Sequence, residues 1–410
     1  MIHTVRLSLG YGDKVIVRDV NISVRPGEFV SVIGPNAAGK TTLLKTLASL
    51  LKPIAGVVYI DGLAVANLRP RELASLIGVV LTDQVKLTML TVAEVVALGR
   101  YPYTGLLGSL SQEDRREVLR ALSDVGLEEL ADRRFCELSD GQRQKVMIAR
   151  ALAQEPRALI LDEPVTHLDP KARVEVLMMI KRVCRERRIV VVASLHEVDL
   201  ALRMADRLII VSDGGVIAYD SPEEFIMDGG PTALFGLGEC ILFSPELATV
   251  EFRWPQDRDE RIFVVAGGGS GSLVYRMLNR LGYSFSTGVL HRGDVDYIVA
   301  KSLGGVVIEE EAFQPISPRK MVQALEEARS CAAVIYTSPP IGPLNSENRK
   351  LAEAAAVEGR PLIVLGPRGI RGAWRVVDSF PELEQSLQLL REKAVAPTIP
   401  RGGSGRSINP

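Results

Sequence analysis

The run Gly34-Pro-Asn-Ala-Ala-Gly-Lys-Thr-Thr42 concentrates the groups that polyphosphate chemistry needs. Its spacing satisfies G-x-x-x-x-G-K-[ST]. In that pattern glycines turn backbone N–H groups toward an anion, a lysine adds positive charge, and a hydroxyl reaches a divalent cation. Gly34, Pro35, Asn36, Ala37, Ala38, Gly39, Lys40, Thr41 and Thr42 are therefore assigned to ATP, with Mg²⁺ on Thr41. Ala37 stands where many such loops carry glycine. Further along, Asp162 and Glu163 present adjacent carboxylates, which divide naturally into a Mg²⁺ ligand and a polariser of attacking water. An Asp-Glu pair alone reads as a solvated turn; beside a phosphate loop it points to hydrolysis.

These residues need a scaffold that delivers them to one edge. Phe29-Val-Ser-Val-Ile33, Ala158-Leu-Ile-Leu161 and Ile189-Val-Val-Val-Ala193 are continuous apolar runs, the pattern of strands buried on both faces of a parallel sheet. Each leads into polar residues, and open parallel sheets bind ligands beyond the carboxyl ends of their strands. Leu43–Leu51 reads as the helix that starts on the phosphates. At 410 residues the chain is too long for one core, so two domains are expected. A net charge of −1 without long charged runs gives no bulk attraction to nucleic acid, and none is expected as a partner. Cys136, Cys184, Cys240 and Cys331 are dispersed and expected as reduced thiols. No apolar run reaches the ~20 residues that span a bilayer, and Met1–Tyr11 lacks a signal-peptide pattern. Service to a membrane is expected from its cytoplasmic face, peripherally and through a partner.

Leu138-Ser-Asp-Gly-Gln142 opens a helix, with Ser139 and Gln142 at capping-box spacing. The pentapeptide also resembles the signature motif of ABC ATPases, and the other motifs are similar to that family's in the same order. The resemblance implies that Gln84 is the Q-loop glutamine, which senses Mg²⁺ and a transmembrane partner. It implies that Leu168-Asp169 is the D-loop, with Asp169 at the dimer, and that His196 is the switch histidine on the γ-phosphate. Tyr11 is placed where the family stacks an aromatic ring on adenine. Lys40, Gln84, Glu163 and His196 become the catalytic set, and Thr41, Gln84 and Asp162 the metal set. In this family one copy's signature closes over ATP held by the other, so Ser139, Gly141 and Gln142 are expected to serve a second copy. Asp140 departs from the commonest signature, which has glycine there. Its carboxylate suits the first turn of a helix but would repel a triphosphate, so it is expected to point away.

Thr91-Val-Ala-Glu-Val-Val-Ala-Leu-Gly-Arg-Tyr-Pro-Tyr103 is similar to a segment in ATPases of iron–siderophore, haem and cobalamin importers, most specifically at Gly99-Arg100-x-Pro102. This implies a separate membrane permease and, indirectly, a substrate-binding protein. The expected fold is a phosphate-loop (RecA-like) α/β core over residues 1–243, with an antiparallel strand subdomain at the start and a helical one around 85–150. A linker over 244–261, a Rossmann-like α/β domain over 262–395 and a tail over 396–410 follow. In that second domain, Gly267-Gly-Gly-Ser-Gly271 lies between a strand and a helix. Ser272 replaces the third glycine of G-x-G-x-x-G, and no acidic residue ends the next strand around Phe285–Val289, which disfavours NAD. A regulatory site for a phosphate- or corrin-bearing ligand and a purely structural domain are the alternatives there. The region loosely resembles C-terminal extensions of archaeal cobalamin-type importer ATPases. Alternatives for the whole chain are a soluble cluster-assembly ABC ATPase and an ATPase governed by a ligand-sensing C-terminal domain.

Overall fold

The computed structural model describes residues 1–81, 89–105, 109–236, 241–256, 258, 260–367 and 369–395. Gln84, Cys240 and the tail 396–410 lie outside them. The chain forms two compact units, Met1–Leu237 and Gly238–Pro410.

In the first unit an antiparallel sheet runs in the order Lys14–Val20, Ile2–Tyr11, Ala55–Ile60, Leu63–Ala64, with Ser23–Val24 also paired to Ile2–Tyr11. A second sheet has the order Gly215–Tyr219, Arg207–Ser212, Phe29–Ile33, Val190–Ser194, Ala158–Leu161, Ile77–Val80. All its neighbours are parallel except the edge strand Gly215–Tyr219. Between the two sheets lies the helix Lys40–Leu47, whose Leu43, Leu44 and Leu47 share one core with Ile2, Leu9, Val32 and Val192. The three apolar runs form central strands buried at every position. The third is Val190–Ser194, one residue later than its apolar run, because Ser194 extends the ladder opposite Val32.

The helices Val92–Ala97, Gln112–Val125 and Asp140–Leu152 pack on one another as the expected helical subdomain. Each begins in a capping box: Thr91 with Glu94, Ser111 with Asp114, and Ser139 with Gln142. Each box satisfies backbone donors that helix geometry leaves free.

The second unit is a six-stranded parallel sheet in the order Val306–Glu310, Ser284–His291, Arg261–Val265, Ala333–Tyr336, Leu362–Leu365, Arg375–Val377. Counted along the chain this is 3-2-1-4-5-6, the doubly wound Rossmann order. Alternate residues of Arg261–Val265 enter opposite cores, Ile262 and Val264 with Tyr275 and Phe285, Phe263 and Val265 with Tyr336 and Leu351. The segment 244–261, expected as a linker, instead lies inside this unit: Thr249–Phe252 pairs antiparallel with Ile241–Ser244. Pro245 occupies the turn between those strands, and Glu251 binds Arg276. Ser317 precedes the helix Pro318–Ser330 as expected, but its N–H and hydroxyl both donate to Glu310 instead of capping it. The strand expected around Phe285–Val289 runs on to His291, and Asp294 follows, so an acidic residue does stand at its end. Among the described residues no helix is long and apolar enough to cross a membrane.

Gly34 shows how closely the first unit is packed, since a Cβ there would lie 2.1 Å from the carbonyl oxygen of Val211. Gly34→Ala is expected to cost about 1–3 kcal/mol of stability in urea unfolding. Gly105→Ala, where an added Cβ would meet nothing within 4 Å among the described residues apart from its chain neighbours, is expected to stay within about 0.5 kcal/mol of the parent.

Candidate active site

The strand Phe29–Ile33 delivers the chain into Gly34, and Gly39 takes a φ of 110° immediately before the helix Lys40–Leu47. Ala37 holds a φ of 63°, the left-handed region in which glycine meets least strain. Lys40, 7% exposed, donates to the carbonyls of Gly34 at 2.7 Å and Pro35 at 2.9 Å. Burial lowers its pKa below that of an ordinary lysine, while the fields of Glu163 and Asp162 act in the opposite sense. The side chain is thus held at the loop by two backbone carbonyls.

Ladder register brings the carboxylates to the same edge. Val32 pairs with Ser194, and Leu161 with Ala193, so Asp162 and Ser194 emerge together beside the loop. Thr41 Oγ1 stands 3.4 Å from Asp162 Oδ1, which also accepts the Ser194 hydroxyl at 2.8 Å. Ser194 Oγ in turn accepts the Glu163 N–H at 2.8 Å. Glu163 sits at φ 53°, with Oε1 2.6 Å from His196 Nε2 and Oε2 accepting the Thr166 hydroxyl at 3.2 Å. Thr41 and the buried Asp162 offer neighbouring hard oxygens, the donor type Mg²⁺ takes. Among the described residues no group of three or more His, Cys, Asp or Glu side chains is placed to hold a metal ion. Most of the ion's ligands would then be waters and phosphate oxygens, as is usual for nucleotide-bound Mg²⁺.

The structure thus joins Lys40, Thr41, Asp162, Glu163 and His196 into one constellation. Ser194, which bridges two of them, escaped sequence reasoning; its only signal was its place two residues before His196. Arg173 was missed as well: it donates to Leu168 O at 2.6 Å and to Glu197 at 2.6 Å, tying the Leu168-Asp169 turn to the neighbour of His196. Asp169 itself caps Pro170–Glu186 through the Ala172 N–H, and Tyr11 ends its strand half exposed.

The signature turn is organised separately. Ser139 N–H donates to Gln142 Oε1 at 3.0 Å, and Gln142 N–H returns to Ser139 Oγ at 3.3 Å. Gly141 approaches Ala172, whose Cβ would stand 3.3 Å from an added Cβ. Asp140 turns back along the helix to pair with Arg143 at 2.9 Å, and Arg143 also donates to Cys136 O. Among the described residues no hydrogen bond joins this turn to the phosphate loop of the same chain.

The Gly99-Arg100-x-Pro102 stretch has a packing explanation. A Cβ on Gly99 would stand 2.1 Å from Arg150 O. Arg100, 2% exposed, donates to Asp114 at 2.9 Å and to Ala153 O and Glu155 at 2.7 Å, and its guanidinium lies 4.0 Å from the Tyr103 ring centre. Arg71 holds the Pro102 and Thr104 carbonyls. One buried cation therefore ties three helices of the subdomain together. Cys184 and Cys331 are buried free thiols, Cys184 pushed up to about 12 by burial, and Cys136 is exposed.

Residues 17–166 match the ABC transporter family and residues 285–398 the MJ0874 family. The ABC transporter ATP-binding protein MJ0873 of Methanocaldococcus jannaschii is 41% identical over 290 residues, 71% of this chain and 100% of that one. The chain belongs to the ATP-binding subunits of ABC transporters, and it is an ATPase. Its relatives include siderophore and cobalamin import proteins. The siderophore transport ATP-binding protein YusV of Bacillus subtilis is 41% identical over 225 residues, 55% of this chain and 82% of YusV. The cobalamin import ATP-binding protein BtuD of Halobacterium salinarum is 35% identical over 294 residues, 70% of this chain and 73% of BtuD. The ADP conformation of MJ1267, an ATP-binding cassette of an ABC transporter, superposes with a TM-score of 0.52 at 25% identity, covering 58% of this chain and 99% of that one.

Removing Arg100 would strand the Asp114 carboxylate in the interior. Arg100→Ala is expected to lose about 3–5 kcal/mol in denaturant unfolding. Because Asp140 is already paired with Arg143, Asp140→Gly should change the steady-state ATPase rate less than about tenfold, equivalent to about 1.4 kcal/mol on the barrier. A larger gain would mean that the carboxylate opposes catalysis.

Proposed function

We propose that this chain drives import of a cobalamin-type corrinoid, as two copies seated peripherally on the cytoplasmic face of a separate permease that a substrate-binding protein feeds. The extent of likeness carries the choice of substrate. The match to the cobalamin import protein covers 294 residues, more than the 237 of the first unit, and so runs into the second unit. The match to the siderophore relative covers 225 residues, fewer than that unit holds. An iron complex is the second reading, supported by the likeness of the first unit to siderophore relatives.

In the proposed cycle Lys40 and the amides of the loop around Gly39 neutralise the β- and γ-phosphates, while Tyr11 stacks on adenine. Mg²⁺, held by Thr41 and Asp162 with Gln84, supplies charge neutralisation on the phosphates when bound. Glu163 orients the attacking water and takes up its proton. His196 must leave Glu163 to contact the γ-phosphate, so the 2.6 Å pair is the resting arrangement that nucleotide breaks. Ser139, Gly141 and Gln142 close on the ATP of the second copy, with Asp169 at the same junction. Separate organisation of the signature turn supports this division of labour. Opening and closing would reach the permease through Gln84.

Glu163→Gln is expected to bind ATP normally, to lose at least about a hundredfold in turnover, and to accumulate as an ATP-bound dimer in size-exclusion chromatography. Near-parental turnover would place the base elsewhere. For the substrate, ATP-dependent uptake of labelled cobalamin into vesicles carrying the chain and its permease is the measurement; uptake of ferric hydroxamate alone would select the iron reading.

A further inference from the structure

The second unit gathers a polar cluster at its strand-order reversal that ATP hydrolysis does not use. Doubly wound sheets bind ligands where strand order reverses, here beyond the ends of Arg261–Val265 and Ala333–Tyr336. One side of the reversal is the Gly267–Gly271 turn, with φ of 62° at Gly268 and 84° at Gly269. The other carries Thr337, whose hydroxyl lies 2.7 Å from that of Ser270. Pro340 leans over the turn, close enough that a Cβ on Gly268 would meet its Cγ at 2.8 Å. Gly267 faces Asn345 and Asp294, whose Nδ2 and Oδ2 would lie 3.7 and 3.8 Å from an added Cβ.

The electrostatics are the reverse of a phosphate loop. Asp294 accepts the N–H of Gly268 at 2.8 Å and that of Asp296 at 2.9 Å. Asp296, fully buried, accepts the Gly271 N–H at 3.0 Å and the Ser272 hydroxyl at 2.8 Å. Burial pushes the Asp296 carboxyl above its ordinary range. Two of the N–H groups that would grip a phosphate, those of Gly268 and Gly271, are thus already taken by carboxylates. Among the described residues neither carboxylate has an ion-pair partner, and Arg292 nearby is paired with Glu309 and Glu311. A phosphate placed here would meet negative charge with no cation to offset it.

Other groups await a partner. The Tyr275 side chain is fully buried and its hydroxyl is unpartnered. Its phenol head lies beneath the glycine turn, since a Cβ on Gly271 would stand 2.8 Å from its Cζ, and the fields of Asp296 and Asp294 reach it. Ser338 Oγ, next to Thr337, is also buried without a partner. Each Asp294 oxygen accepts one N–H and keeps a lone pair for another donor. Two adjacent hydroxyls match that carboxylate, donating one bond to each oxygen.

We propose that this strand-order reversal binds a nucleoside through the vicinal diol of its ribose on Asp294, with the uncharged base along the exposed Pro340 and no phosphate at the glycine turn. Tyr275 and Ser338 would complete their hydrogen bonds to the ligand or to water it orders. This assignment stands apart from the import reading, because no cassette residue enters it.

Isothermal titration of the full chain with adenosine, its cassette saturated with MgADP, tests the site. One adenosine per chain is expected, with affinity lowered about tenfold or more in Asp294→Asn, the loss of a charged hydrogen bond. Inorganic phosphate at millimolar concentration should not compete. Tyr275→Phe should weaken binding while keeping or raising the melting temperature without ligand, because it removes an orphaned buried hydroxyl. Absence of adenosine binding to the parent, unchanged affinity in Asp294→Asn, or displacement by inorganic phosphate would overturn the proposal. An ATPase rate that Asp294→Asn leaves unchanged would keep the outcome separate from that of the cassette.

Discussion

Everything at the ATP site depends on the parallel ladder that joins Phe29–Ile33, Val190–Ser194 and Ala158–Leu161. Its strands are buried on both faces, so no register shift can be absorbed by turning a face to solvent. Slipping one strand by a residue would carry Asp162 away from Thr41 or Ser194 away from both carboxylates. Ser194 makes the alignment explicit. Its single oxygen donates to Asp162 and accepts from the Glu163 backbone, so both acidic residues are fixed to the same atom. The left-handed backbone at Glu163 is held by that bond and by the contacts of its side chain with His196 and Thr166.

The chain uses the same architectural idea twice with opposite charge. In each unit a central parallel strand ends in a glycine turn that leads into a helix. In the first unit the helix opens with Lys40; in the second it opens with Ser272, bonded to a carboxylate. The fold alone therefore says where a ligand would sit, and the side chains at the helix start say whether it can carry negative charge there.

What could be read beforehand was what is local. The phosphate loop, the Asp162-Glu163 pair and the Ser139-Gln142 box each lie within a few residues, and the structure builds them as their spacing suggests. Ser194 and Arg173 could not be read that way, because their partners come from other strands and turns. The strand Ser284–His291 runs two residues beyond its expected end at Val289. There Asn348 both donates to and accepts from Val289, replacing ladder bonds where the strand is irregular, and the strand continues. Pro245 misled, since a proline in a hairpin turn and a proline in a linker look alike until the flanking strands are seen to pair.

The cap on the signature helix has one more implication. A hydroxyl can accept and donate at once, and in Ser139 the acceptor role is taken by the Gln142 N–H. That bond fixes the oxygen at the helix entrance, where the helix dipole is positive, and leaves its proton to swing outward. The residue that caps the start of the helix is therefore also a hinged donor aimed past it. An anion arriving from outside would find both the dipole and the proton in place, with no helical turn to unwind.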